Sequence, residues 1–171
     1  MPSEAWAHGR LRSAVSPLSS LGVILLALTF APARAAYVNA ALGKQVEQSS
    51  YFLNQLAWAA RMTDGNTNNN WHSGSCSHTV NGATGTNWMR VDLAESLFIK
   101  NVIIYNRNDC CGFRLAEGGW GIFVGDDVSG PTIGSNYACG NGGYTSTTNG
   151  GTYNIMCNQA RGRYVWVANG L

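Results

Sequence analysis

Apolar residues in this chain of 171 residues fall in short runs, which are separated by spacers rich in glycine, asparagine, serine and threonine. Met89, Val91 and Leu93 alternate with polar neighbours, as in a strand that is buried on one face. None of the runs after residue 35 has the period of an amphipathic helix. Four runs are candidate strands: residues 88–93, 98–105, 121–124 and 164–167. This pattern predicts an all-β fold in a single domain, an antiparallel β-sandwich or jelly roll.

The first 35 residues have a different pattern from the rest of the chain. Two arginines precede an apolar run at residues 21–30, and residues 33–35 form an Ala-x-Ala cleavage motif. The apolar run is shorter than the roughly 20 residues that span a bilayer, so we do not expect membrane insertion. We predict that residues 1–35 are a secretory signal peptide and that residues 36–171 form a secreted domain.

The predicted mature domain is electrically neutral. The whole chain carries a net charge of +2, but residues 36–171 contain eight basic and eight acidic side chains. A neutral domain without a basic stripe is not expected to bind nucleic acid or an anionic membrane surface. Asp126 and Asp127 lie in a turn-like segment without a nucleophile, and no cofactor or zinc motif is present, so we do not expect an enzyme.

Two adjacent cysteines, Cys110 and Cys111, stand between an Arg107-x-Asp109 motif and Arg114. If these cysteines bond to each other, they form a small polarisable surface that suits a methyl group or a ring face. Arginine stays charged and offers five donors to the oxygens of a sugar, and Asp109 can hold a guanidinium group in place. A surface ion-pair cluster is the alternative. The combination favours a site for a neutral sugar.

Five cysteines in a chain with a signal peptide indicate disulfide bonds, and the odd number leaves one thiol over. Apart from the adjacent pair, Cys139 and Cys157 flank a loop rich in glycine, threonine and asparagine and are natural partners. Closing such a loop would stabilise the fold by about 3 kcal/mol. Cys76 is then left unpaired.

These residues resemble the F-type lectins, a fucose-binding family also called fucolectins. The family carries a histidine, then Arg-x-Asp, a vicinal cysteine pair and a second basic residue, and His78 begins that series here. The spacer from His78 to Arg107 holds 28 residues, a few more than in the family pattern. Other segments that follow the family order are residues 39–44, 63–66, 75–78, 88–93 and 162–165.

The resemblance implies a galactose-binding-domain-like sandwich that recognises L-fucose in fucosylated glycans, in innate-immune recognition. Trp71, with His72 as second candidate, would cover the methyl group of the sugar together with the disulfide. A role of Trp71 as a core anchor is the equal alternative. The fucose-binding residues implied are Trp71, His78, Arg107, Asp109, Cys110, Cys111 and Arg114.

The resemblance also implies a calcium ion. The run Asp64-Gly65-Asn66 places short oxygen side chains around a glycine turn, which suits a hard cation, although an ordinary Asx turn is the alternative. By family pattern, the side chains of Asp64, Asn66 and Ser75 and the backbone carbonyl of Arg61 would be the ligands.

In the family, a further strand bearing Cys-Glu follows; its cysteine pairs with the position of Cys76 and its glutamate completes the calcium site. We therefore expect residues 36–171 to be an F-type lectin domain without its last strand, with a weakened calcium site and an open sandwich edge. The competing functions are a discoidin-like sandwich that binds another sugar or a lipid headgroup, and a truncated pseudo-lectin that binds nothing. A homo-oligomer stays open, because nothing in the sequence specifies one.

Overall fold

The computed structural model describes residues 36–80, 85–132, 136–140 and 142–171, apart from the side chains of residues 56 and 57. The predicted signal peptide lies outside the described residues. The strands are β1 (Gln45–Gln48), β2 (Asn87–Tyr105), β3 (Trp120–Gly125), β4 (Tyr137–Ala138) and β5 (Thr152–Asn169). Short 3₁₀ helices occupy Phe52–Asn54, Leu56–Met62, Trp71–Ser73 and Gly112–Ala116. In these described ranges there is no α-helix, and no helical segment has the length and apolar character needed to cross a bilayer.

The strands form one antiparallel sheet in the order β1-β2-β5-β3-β4. Strands β2 and β5 pair along most of their lengths, from Asn87 opposite Asn169 to Tyr105 opposite Thr152. The register shifts between Asp92 and Leu97, where a polar stretch interrupts the apolar alternation. The all-β antiparallel prediction is therefore confirmed, and the two predicted strands at residues 88–93 and 98–105 are parts of the single strand β2.

The main core lies on one face of this sheet. Val91 and Leu93 point into it, as their alternation predicts, and Leu93 keeps only 1% of its surface exposed. Cys139, just after β4, forms a disulfide with Cys157 of β5, and both cysteines are fully buried. The buried members of this core are Val91, Leu93, Ile99, Trp120, Ile122, Val124, Cys139, Ile155, Cys157 and Val165.

A second, aromatic cluster covers the other face of the sheet. Phe123 and Trp166 are buried there, with Trp88 and Tyr164 packed against them. The guanidinium carbon of Arg90 lies 5.0 Å from the ring centre of Tyr164 and 5.1 Å from that of Trp166. Because this cluster covers the face of β5 opposite its valines, Trp166 between Val165 and Val167 is also protected from water.

The half of β2 from residue 97 to residue 105 has a free side. Strand β1 pairs with β2 only at residues 89–92, and within the described part of the chain no other strand pairs with that side. Phe98, Ile103 and Tyr105 are 69%, 48% and 46% exposed. Residues 98–105 also line an open cleft of about 820 Å³.

Candidate functional site

The loop that follows β2 is held in place by a buried asparagine. The side-chain amide of Asn106 donates to the carbonyl of Gly112 at 2.8 Å and to the carbonyl of Thr148 at 3.0 Å. The N–H of Gly112 in turn donates to the side-chain oxygen of Asn149 at 2.7 Å. A Cβ on Gly112 would approach that oxygen to 2.7 Å, so only glycine fits this crossing. These hydrogen bonds therefore hold both ends of the loop between Asn106 and Gly112 in place.

Asp109 joins two loops of this site. Its carboxylate accepts hydrogen bonds from Nε of Arg107 at 2.9 Å and from Nη2 at 2.6 Å, a bidentate pair. The same carboxylate accepts the backbone N–H of Trp71 at 2.8 Å. The bond from Arg107 holds the pKa of Asp109 well below its usual range, and the carboxylate raises the pKa of Arg107. Both groups are thus charged at every physiological pH.

Trp71 lies in a cluster of aromatic rings beside this ion pair. The guanidinium carbon of Arg107 lies 4.9 Å from the ring centre of Trp71, and the ring of His78 lies 4.8 Å from it. The ring centres of Phe52 and His78 are 4.1 Å apart, and those of Trp58 and Trp71, which meet edge to face, are 5.1 Å apart. Trp71 belongs to neither buried core of the sheet. Its role in covering the methyl group of the sugar stays a prediction.

The hydrogen bonding of His78 defines the tautomer of its ring. Nδ1 lies 2.7 Å from the carbonyl oxygen of Thr79, and since a carbonyl only accepts, Nδ1 carries the hydrogen. Nε2 of the neutral ring is therefore an acceptor. Burial lowers the pKa of His78, and the positive charges of Arg114 and Arg107 lower it further. His78 is thus neutral at pH 7.

Cys110 and Cys111 are bonded to each other in the same loop as Arg107, with their Cα atoms 3.7 Å apart. Arg114 follows on the 3₁₀ helix Gly112–Ala116, and its carbonyl accepts the side-chain amide of Asn169 at 2.7 Å. Cys76 has a free, half-buried thiol, and burial raises its pKa. The cleft that residues 98–105 line is also lined by residues of this site, among them Arg61, Trp71, Cys76, His78, Arg107, Cys111 and Arg114.

The predicted calcium loop is a series of Asx turns. The side-chain oxygens of Asp64, Asn66, Asn68 and Asn70 each accept the N–H two residues further on, at 2.8 to 3.1 Å. The hydroxyl of Ser75 donates to the carbonyl of Asn68. Within the described ranges, no three His, Cys, Asp or Glu side chains lie together as metal ligands. A cation here would depend on one carboxylate and neutral oxygens, a donor set that fits calcium better than a transition metal.

The sequence assigned a role only to the backbone carbonyl of Arg61, and the contribution of its side chain was missed. The guanidinium carbon of Arg61 lies 4.6 Å from the ring centre of Trp58 and 5.9 Å from that of Trp71. Both Trp58 and Arg61 are on the 3₁₀ helix Leu56–Met62, where residues three apart lie above each other. That spacing is the signal that could have identified the contact.

Comparison with known proteins agrees with this geometry. Residues 61–167 match a family model described as a NedA-like, galactose-binding domain. Fucolectin-4 of Anguilla japonica is 39% identical over 134 residues, which cover 75% of this chain and 70% of the relative. The crystal structure of an F-lectin (fucolectin) from striped bass (Morone saxatilis) serum is 32% identical with a TM-score of 0.66, covering 78% of this chain and 43% of that chain. A fucose binding module of Streptococcus pneumoniae is 25% identical with a TM-score of 0.61, and the match covers 81% of this chain and 88% of that chain.

The fold and the matched family model define a galactose-binding-like β domain. Within that class, the chain belongs to the F-type lectin, or fucolectin, family. This confirms the resemblance found in the sequence. Since these lectins are not catalysts, the prediction that the chain is not an enzyme is confirmed as well.

Proposed function

We propose that this chain is a lectin that binds L-fucose in fucosylated glycans. The observation that carries the proposal is the position of Arg107, which Asp109 fixes against Trp71 in the loop of the vicinal disulfide. Asp109 uses Nε and Nη2 of Arg107, so Nη1 keeps donors for sugar oxygens. Nε2 of His78 accepts from a sugar hydroxyl, and the disulfide and Trp71 offer apolar surface to the methyl group.

Retention on fucose-agarose tests this proposal. We expect the wild-type chain to be retained and to be eluted by free L-fucose but not by D-galactose, and Arg107→Ala to flow through. Arg163→Ala is the matched control, because Arg163 forms a similar bidentate pair with Asp92, at 2.7 and 2.8 Å, away from these loops. Retention of Arg107→Ala equal to that of the control would overturn the proposed site.

We propose in addition that calcium binds at the loop of Asp64, Asn66 and Ser75, with the carbonyl of Arg61 as a further ligand. The all-oxygen donor set and its location in the loop segments on either side of the 3₁₀ helix Trp71–Ser73 support this. Calcium at 100 times its dissociation constant would stabilise the fold by about 2.7 kcal/mol. We expect millimolar calcium to raise the Tm of the wild-type chain but not of Asp64→Asn, and an equal shift in both would contradict this site.

We propose that the domain acts outside the cell, in innate-immune recognition of fucosylated surfaces. The signal peptide predicted from the sequence, the two disulfides and the serum origin of the striped bass relative support this location. Recognition of a surface by a single-sugar site gains from multivalency, so a homo-oligomer fits this role. Secretion of the full chain with loss of residues 1–35 from the secreted product, read by mass spectrometry, tests the location.

A further inference from the structure

Arg61 is a cation of the site for which the described part of the chain shows no ion pair. Its Nη1 donates to the backbone carbonyl of Cys76 at 3.3 Å, and its guanidinium group lies over Trp58. The ion pairs found among the described residues do not include Arg61. A guanidinium group has five N–H donors, so most of those of Arg61 are left for a ligand.

Arg61 lies close to the proposed fucose site. The guanidinium groups of Arg61 and Arg107 both contact Trp71, at 5.9 and 4.9 Å from its ring centre. Their separation therefore cannot exceed the sum of these two distances, so Arg61 is within reach of a sugar that is linked to the one at Arg107. Arg61 also lines the same cleft as Arg107 and His78.

The formal charges of the two loops balance. Residues 58–80 and 106–117 carry the arginines Arg61, Arg107 and Arg114 and the acids Asp64, Asp109 and Glu117. Asp109 is bound to Arg107, whereas no ion pair among the described residues involves Arg61. The charge of Arg61 itself, and not a surplus of the whole site, is therefore what would attract an anion.

We propose that Arg61 forms a subsite for an acidic group, a sulfate or a carboxylate, on the sugar that adjoins fucose. This inference rests on the proposed fucose binding. A guanidinium group binds either anion in a bidentate manner, and the ring of Trp58 supports its flat face. The preferred ligands are then acidic fucosylated glycans rather than neutral ones.

Calorimetric titration with three matched fucosylated trisaccharides tests the subsite: one neutral, one sulfated and one sialylated on the sugar next to fucose. We expect the wild-type chain to bind at least one acidic form about tenfold more tightly than the neutral form, as a charge-assisted hydrogen bond predicts. Raising the salt concentration should reduce this ratio. The sulfated and sialylated arms identify which anion the subsite takes.

Arg61→Gln is the decisive variant, because glutamine keeps the backbone carbonyl and a side-chain donor but removes the charge. We expect its ratio of acidic to neutral affinity to fall to about one, with Arg61→Lys intermediate and Arg163→Gln unchanged. Equal affinity of the wild-type chain for all three sugars, or an unchanged ratio in folded Arg61→Gln, would overturn the subsite alone. Failure of the wild-type chain to bind the neutral trisaccharide would instead overturn the proposed function.

Discussion

His78 makes the site sensitive to pH. Its pKa is lowered from the ordinary value of 6.5, chiefly by burial and also by Arg114 and Arg107. On acidification the unfolded chain therefore takes up this proton before the folded chain does, so stability is lost as the pH falls below about 6.5. Protonation also turns the acceptor Nε2 into a donor and adds a third charge beside two arginines.

We expect the affinity for L-fucose to be constant between about pH 7 and 8 and to decrease below about pH 6. Intrinsic tryptophan fluorescence can follow the titration, because Trp71 lies within the site. His78→Gln keeps an acceptor without the titrating ring, so it should bind with a flat pH profile. A decrease of the same size in His78→Gln would show that another group is responsible.

At the scale of the elements, Asp109 couples the loop after β2 to the 3₁₀ helix Trp71–Ser73. Asp109→Asn keeps the shape of the side chain but loses the charge that orients Arg107. We expect at least a tenfold loss of fucose affinity, measured by calorimetry, with little change in Tm. Asp92→Asn breaks the corresponding pair with Arg163, and it should leave the affinity unchanged. A similar loss of affinity in both variants would contradict a specific coupling by Asp109.

The strands were predictable because alternation is local: Val91 and Leu93 are buried as their spacing requires. The continuity of β2 was not predictable, because residues 94–96 interrupt the alternation and resemble a connection between two separate strands. The site was predictable as far as its residues are neighbours in the chain, as Arg107, Asp109 and the cysteine pair are. The spacing of Trp58 and Arg61 could have indicated their mutual contact, but the contact of Arg61 with Trp71 depends on the tertiary fold.

At the scale of the whole molecule, the side of β2 from residue 97 to residue 105 that faces away from β5 is an unpaired edge among the described residues. It exposes Phe98, Ile103 and Tyr105, and Lys100 is its single charged residue. The ammonium group of Lys100 lies 4.1 Å from the ring centre of Tyr37, so it is turned to an intramolecular contact. A long apolar edge with few charges promotes strand pairing between molecules.

We therefore expect residues 36–171 to self-associate as concentration rises, measured by sedimentation velocity, and Ile103→Lys to shift the protein towards the monomer. A lysine on an edge strand opposes pairing because a neighbouring strand would have to bury its charge. Met156→Lys is the matched control: Met156 is 42% exposed but lies in β5, which has strand neighbours on both sides. If the association depends on the edge, the control variant should still self-associate. If both variants become monomeric to the same extent, the exposed face and not the free edge drives the association.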